Sequence, residues 1–184
     1  MLRLLDFLIA LFGLLLAAPF IFIIYLIILF TLGSPIFRQE RVGQYQKPFT
    51  LIKFRSMRQG TASVASHLVD ATAITPFGAF LRRTKLDELP QLLNVIRGDM
   101  SLVGPRPCLF NQSELIIERS SRGVFVAKPG ITGLAQLSNI DMSTPQLLAE
   151  TDARMLQGLT VLTYFVYILM TVLGKGSGDR VHKK

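Results

Sequence analysis

Asp87 and Glu88 are adjacent carboxylates that follow the cationic string Arg82-Arg83-Thr84-Lys85 almost directly. Read as structure, Asp87 caps a helix that takes in Leu89–Ile96. Pro90 then falls at its third position, where a missing N–H costs nothing, and Glu88 complements the helix dipole. Read as chemistry, two carboxylates beside three cations make a site for Mg²⁺ and phosphate together. A carboxylate is also a nucleophile toward phosphorus and gives an acyl phosphate. Arg106 stands between Pro105 and Pro107, and a guanidinium on so restricted a turn suits bidentate capture of phosphate, although an arginine in a turn is more commonly a solvated charge. Lys53, Arg55 and Arg58 form a second basic group, with Lys53 and Arg55 on one strand face. A substrate role and a solvated face near anionic lipid are equally open for them. Asp152, alone on its predicted helix, reads as a surface acid. His67 and His182 adjoin no motif, and a single cysteine, Cys108, makes neither an intramolecular disulfide nor a thiolate metal cluster.

These residues need elements to bring them together. Gly33-Ser34-Pro35 ends a long helical run, and Ile36–Gly43 begins an extended stretch. Phe49–Met57 alternates and carries β-branched and aromatic residues, which predicts a strand with basic residues on one side. Gly60–Thr75 predicts a loop with one short helix. Phe77–Arg83 and Leu89–Ile96 read as helices, the second stopped by Arg97-Gly98. Val103–Pro107 must be a rigid turn. Asn111–Arg119 suits a helix, Lys128–Gly133 a second rigid turn leading into a short apolar strand, and Pro145–Leu156 another helix. Leu159–Leu173 has no charge and, at about 22 Å, is too short to span a bilayer; an interfacial or packed helix fits it better. The expected fold class is an irregular, helix-rich α/β domain.

The 184 residues carry 20 Lys and Arg against 12 Asp and Glu, a net charge of +8. The apolar residues are concentrated: Phe7–Phe37 contains 31 residues without a charge, 25 of them apolar. The chain is therefore neither disordered nor multispan; it reads as one membrane segment joined to one modest domain. A helix of that length reaches about 46 Å against a hydrocarbon core of about 30 Å, and Pro19 near its middle predicts a kink. It either crosses as one bent helix or dips in and returns. Arg3 alone among the basic residues precedes the run, which places the bulk of the chain in the cytoplasm. A cleaved signal peptide does not fit so long a run.

Together the signals are specific. The string from Lys85 through Asp87-Glu88-Leu89-Pro90 to Val103-Gly104-Pro105-Arg106-Pro107 resembles the signature of the bacterial sugar transferases, the small monotopic phosphoglycosyl transferases. Lys53-Phe54-Arg55-Ser56-Met57 and Lys128-Pro129-Gly130-Ile131-Thr132-Gly133 resemble two further blocks of that family, in the family's order. The resemblance implies transfer of a sugar-1-phosphate from a UDP-sugar to undecaprenyl phosphate, with release of UMP. It implies that Asp87 is the nucleophile and carries a phosphosugar intermediate, that Glu88 helps to hold Mg²⁺, and that Lys53, Arg82, Arg106 and Asp152 are essential. Arg55, Pro105 and Pro107 are expected with the substrate-binding residues. It also implies a re-entrant helix broken at Ala18-Pro19. The expected organisation is then a membrane-embedded, Pro19-kinked helix over residues 1–34. A catalytic domain over 35–184 would follow on the cytoplasmic face of the bacterial inner membrane, ending in an interfacial helix and basic tail.

The chain departs from the family pattern at Ala18, where serine is usual, at Leu134, where tryptophan is usual, and after Asp152, where tyrosines are common. Residues 62–75 and Cys108–Gln112 resemble a subgroup acting on N-acetylated, often 6-deoxy, hexosamine donors. A non-catalytic membrane scaffold would keep Pro19 and the basic patches, yet has no need for Asp87-Glu88 and Arg106 together. A nucleic-acid partner is not expected, since no basic-aromatic interleaving accompanies the charge. A homodimer is left open.

Overall fold

The computed structural model describes residues 2–61 and 71–176. Helix α1 (Leu2–Leu32) runs without a break through Pro19. Strands β1 (Ile36–Val42) and β2 (Pro48–Phe54) form an antiparallel hairpin in the register Ile36↔Phe54 to Val42↔Pro48. Helix α2 (Pro76–Thr84) starts with proline in its first turn and with Thr75 accepting from the Gly78 N–H at 2.9 Å, the pattern that satisfies otherwise orphaned amides. Helix α3 (Gln91–Arg97) ends at Gly98 in the left-handed conformation (φ 95°), which glycine adopts at no steric cost. Strands β3 (Ser101–Val103) and β4 (Gly130–Thr132) pair in parallel. Helices α4 (Ser113–Ser121), α5 (Leu134–Leu137), α6 (Pro145–Gln157) and α7 (Val161–Val172) complete the described fold.

Three predicted elements differ in detail. The strand expected over Phe49–Met57 stops at Phe54 because its partner begins at Ile36, after Pro35, and no strand remains to pair; Met57 instead bridges Ile74. The short apolar strand lies inside the Lys128–Gly133 turn rather than after it. Leu134–Leu137 is helical, with Leu137 N donating to Gly133 O at 3.0 Å. Helix α3 begins at Gln91, so Asp87 is not its N-cap and Pro90 immediately precedes it. Most of Gly60–Thr75 lies outside the described residues, which include a 3₁₀ turn at Ala71–Ala73.

Both ends of α1 enter the body of the fold. Near its start, Ala10 is buried with Leu51, Val95, Met100, Val103 and Tyr164; near its end, Ile24 and Ile28 are buried with Phe54 and Leu81. Nothing from Leu11 to Ile23 is buried. The first turn is also fastened by polar contacts. Arg3 donates to the carbonyls of Val95 and Ile96 at 2.6 and 3.0 Å, at the C-terminus of α3, where a cation also complements the helix dipole. Asp6 is 3% exposed, and one of its oxygens accepts from Ser101 Oγ, Leu102 N and Tyr164 Oη at 2.9, 2.8 and 2.7 Å. Burial, and then the Asp6 carboxylate, push the Tyr164 phenol well above its ordinary range.

Asn94 plays a comparable part at the free edge of β2. It is fully buried, accepts from Ile52 N at 3.1 Å and donates to Thr50 O at 2.8 Å, so one side chain does what a neighbouring strand would do. Replacing a buried group that serves several partners strands each of them. Asp6→Leu is therefore expected to destabilise the fold by about 3 kcal/mol, and Tyr164→Phe, which leaves Asp6 two donors, by about 1 kcal/mol. Thermal unfolding in detergent checks the order; equal melting of Asp6→Leu and the parent chain would contradict it.

Candidate active site

Helix α2 ends where Lys85 turns into the left-handed region (φ 59°, ψ 15°) and donates its N–H to the carbonyls of Leu81 and Arg82. The reversal leaves only Leu86, Asp87 and Glu88 before Leu89 and Pro90, and they close into a 3₁₀ turn with Leu89 N on Leu86 O at 3.3 Å. Asp87 and Glu88 are 2% and 7% exposed in this turn, and Arg82, in the last turn of α2, is 8% exposed. Carboxylates so far from bulk water require cations or donors close by.

The second wall is the Pro105–Pro107 turn. Both prolines are buried, and Arg106 between them is partly exposed. Its Nη2 donates to Glu88 Oε1 at 3.1 Å, which joins the two rigid turns through one charged contact. Lys53 and Arg106 line the same small cavity, together with Arg41, Gln91 and Pro107. Lys53 lies on β2 and Arg55 just past its end, so they do not share a strand as predicted, but both cations stand over the Phe37 ring, 5.6 and 5.7 Å from its centre. Arg55 also donates to Ser34 O at 2.8 Å and Ser34 Oγ at 3.3 Å, and so holds the exit of α1. Ala18 and Pro19 are exposed in the middle of α1.

Asp152 is placed differently from the others. It lies on α6, is fully buried, and takes two hydrogen bonds on Oδ2 from Arg119 of α4, at 3.0 Å from Nε and 2.7 Å from Nη2. Burial pushes its carboxyl up from the ordinary value, and the Arg119 charge pulls it back. Arg119 and Arg41 went unnoticed in the sequence reading. Leu115 and Arg119 are four apart on α4 and both are buried, a spacing that places them on one inward face. Gln39 and Arg41 likewise alternate inward against outward Arg38 and Glu40.

Residues 1–175 match the family model for the bacterial sugar transferases. The chain belongs to the bacterial sugar transferase family. It is 44% identical over 137 residues to EpsL of Bacillus subtilis (strain 168), described as an uncharacterized sugar transferase; the match covers 74% of this chain and 67% of that one. It is 48% identical over 109 residues (57% and 60% of the two chains) to a protein of the same organism provisionally named an undecaprenyl-phosphate N-acetylgalactosaminyl 1-phosphate transferase. A UDP-glucose:undecaprenyl-phosphate glucose-1-phosphate transferase of Xanthomonas campestris pv. campestris is 44% identical over 122 residues, 62% of this chain and 25% of that one. The chain thus spans less than two thirds of the length of several relatives it matches.

The strings that resemble the family signature form the two facing turns, and their positions depend on close backbone packing. A Cβ on Gly130 would lie 2.0 Å from Gly104 N, and one on Gly104 would lie 2.5 Å from Lys128 O. Both obstacles are backbone, so no side-chain rotation relieves them. Gly130→Ala is expected to separate β3 from β4 and to cost about 3 kcal/mol or more. A melting temperature unchanged from the parent would contradict that reading.

Proposed function

We propose that this sugar transferase moves a sugar-1-phosphate from a UDP-sugar to undecaprenyl phosphate and releases UMP. The observation that carries the reading is the Arg106–Glu88 contact at 3.1 Å, which brings a guanidinium to a buried carboxylate pair beside the cavity that Lys53 lines. Relatives named for undecaprenyl-phosphate transfer of sugar phosphates support it. An Asp87 carboxylate oxygen attacks the phosphorus that bears the sugar, the bond to the bridging oxygen breaks, and UMP leaves with that electron pair. An oxygen of undecaprenyl phosphate then attacks the same phosphorus, forms the lipid-linked diphosphate and frees the Asp87 carboxylate. Arg106, Lys53 and Arg82 supply positive charge where it develops on the transferring group.

The donor set suits Mg²⁺, which binds through one or two carboxylates and takes its other ligands from phosphate and water. Among the described residues no three His, Cys, Asp or Glu side chains converge on a metal site, so an all-protein cage is not on offer, whereas adjacent Asp87 and Glu88 meet the smaller requirement. Glu88 would hold Mg²⁺, which when bound adds positive charge to the donor diphosphate. The N-acetylhexosamine class of donor is favoured by the likeness to the relative named for N-acetylgalactosamine.

The two ends of α1 support the membrane reading. Arg3 and Asp6 at one end and Ile24, Ile28 and Leu32 at the other all touch one domain. That domain carries charged side chains and cannot itself cross a bilayer. Contact at both ends therefore favours a re-entrant segment, entering and leaving on the cytoplasmic face of the inner membrane with the exposed apolar stretch Leu11–Ile23 in lipid. The exposed apolar side chains of α7, among them Leu162, Leu169 and Val172, suit the interface.

Purified protein with Mg²⁺, undecaprenyl phosphate and a panel of UDP-sugars is expected to release UMP from one donor. Asp87→Asn and chelation of the metal should each lower the rate at least 10³-fold; release that survives Asp87→Asn would remove Asp87 as nucleophile. In a Cys108→Ser background, Leu4→Cys and Arg58→Cys should be labelled from the same side of sealed vesicles. Labelling from opposite sides would contradict the re-entrant reading.

A further inference from the structure

Four successive carbonyls around Arg106 are each held from outside the turn. Pro105 O accepts from Gly130 N at 2.9 Å, Arg106 O from Arg119 Nη1 at 2.8 Å, Pro107 O from Arg41 Nη1 at 3.1 Å, and Cys108 O accepts from Val42 N at 3.0 Å. Pro105 and Pro107 have no N–H, so the turn has little means of closing on itself, and its orientation is set by these external donors. Two of them are backbone amides of neighbouring strands. The other two are guanidinium groups, and Arg119 is only 2% exposed.

Arg119 divides its donors. Nε and Nη2 go to Asp152, and Nη1 goes to the Arg106 carbonyl. Asp152, with no surface exposed, cannot meet a substrate, and its Oδ1 has no hydrogen-bond partner among the described residues. A buried ion pair seldom adds stability over apolar side chains of the same volume, because both ions must be stripped of water. Packing alone thus gives a poor account of this pair. A fixed N–H aimed at the backbone of the residue that touches Glu88 gives a better one.

We propose that Arg119, oriented by Asp152, is a positioning residue for the transfer reaction: by holding the Arg106 carbonyl it fixes the turn from which the Arg106 guanidinium reaches Glu88. The inference rests on the transferase reading above. It moves Asp152 from the reacting atoms to the support behind them, two residues removed from Glu88 through Arg119 and Arg106. Misplacement of a phosphate-binding group by about 1 Å is enough to cost about 10²-fold in rate.

The test uses full-length protein in detergent with the donor that the wild type turns over. Arg119→Met combined with Asp152→Leu replaces the ion pair by apolar side chains. The double variant is expected to melt within a few degrees of wild type while kcat falls about 10²-fold and the donor KM changes less than about threefold. Asp152→Asn, which keeps an acceptor for Arg119, should retain at least about a tenth of the rate. A second measurement does not depend on the apolar pair folding. Arg119→Lys cannot reach both Asp152 and the Arg106 carbonyl, and added to Arg106→Lys it should slow the enzyme no more than about threefold beyond Arg106→Lys alone. Wild-type turnover in a folded apolar variant, or losses that multiply in the Arg106 pair, would overturn the positioning role while leaving the transferase intact. A wild-type chain that released no UMP from any donor would overturn the transferase reading, and the positioning role with it.

Discussion

A charge buried in so small a domain must be paired, and in this protein the pairs decide where the elements lie. Asp6 cannot be left alone in the body of the fold. The three donors that satisfy it come from β3, from the residue at its start and from α7, so α1, the parallel strand pair and α7 meet at one carboxylate oxygen. Arg119 and Asp152 do the same for α4 and α6 and extend the contact to the Pro105–Pro107 turn. Arg106 and Glu88 then join that turn to the 3₁₀ turn. The site is the end of a series of buried polar contacts that begins at helices far from it in sequence.

The same constraint connects the Asp87-Glu88 turn to the apolar helix α1. Arg3 occupies the last carbonyls of α3, and α3 follows directly on the Asp87-Glu88 turn. Arg55, one residue past the strand that carries Lys53, holds the chain where it leaves α1. The two ends of the apolar helix thus pack on the two sides of the carboxylate turn, and the helix serves as part of the site's framework. In the reaction proposed above, such a framework would bring a lipid phosphate acceptor, with its chain in the bilayer and its reactive oxygen at the surface, to Asp87.

Local signals gave away the elements whose causes are local. Arg97-Gly98 stops α3, the helical pattern over Phe77–Arg83 lies within α2, and alternation over Phe49–Met57 marks β2, although not its pairing with β1. The Asp87-Glu88 and Pro105-Arg106-Pro107 strings stood out by residue type and by family resemblance. What remained hidden depended on long-range partners. Asp87 looked like a helix cap because Pro90 permits one, but the left-handed Lys85 makes the chain turn earlier. Asp152 looked like a surface acid because nothing adjacent reveals Arg119, 33 residues away. Asp6 was passed over in an apolar N-terminus, since its partners lie 95 to 158 residues off.

The central claim is that Asp87 takes the phosphosugar before the lipid does. The direct measurement is intact-protein mass spectrometry after incubation with the donor and Mg²⁺ in the absence of undecaprenyl phosphate. The account predicts a gain of one sugar phosphate, located on Asp87 by peptide mapping and discharged when the lipid phosphate is added. A protein that turns over donor and acceptor together yet shows no adduct, or carries it on another residue, would contradict the account.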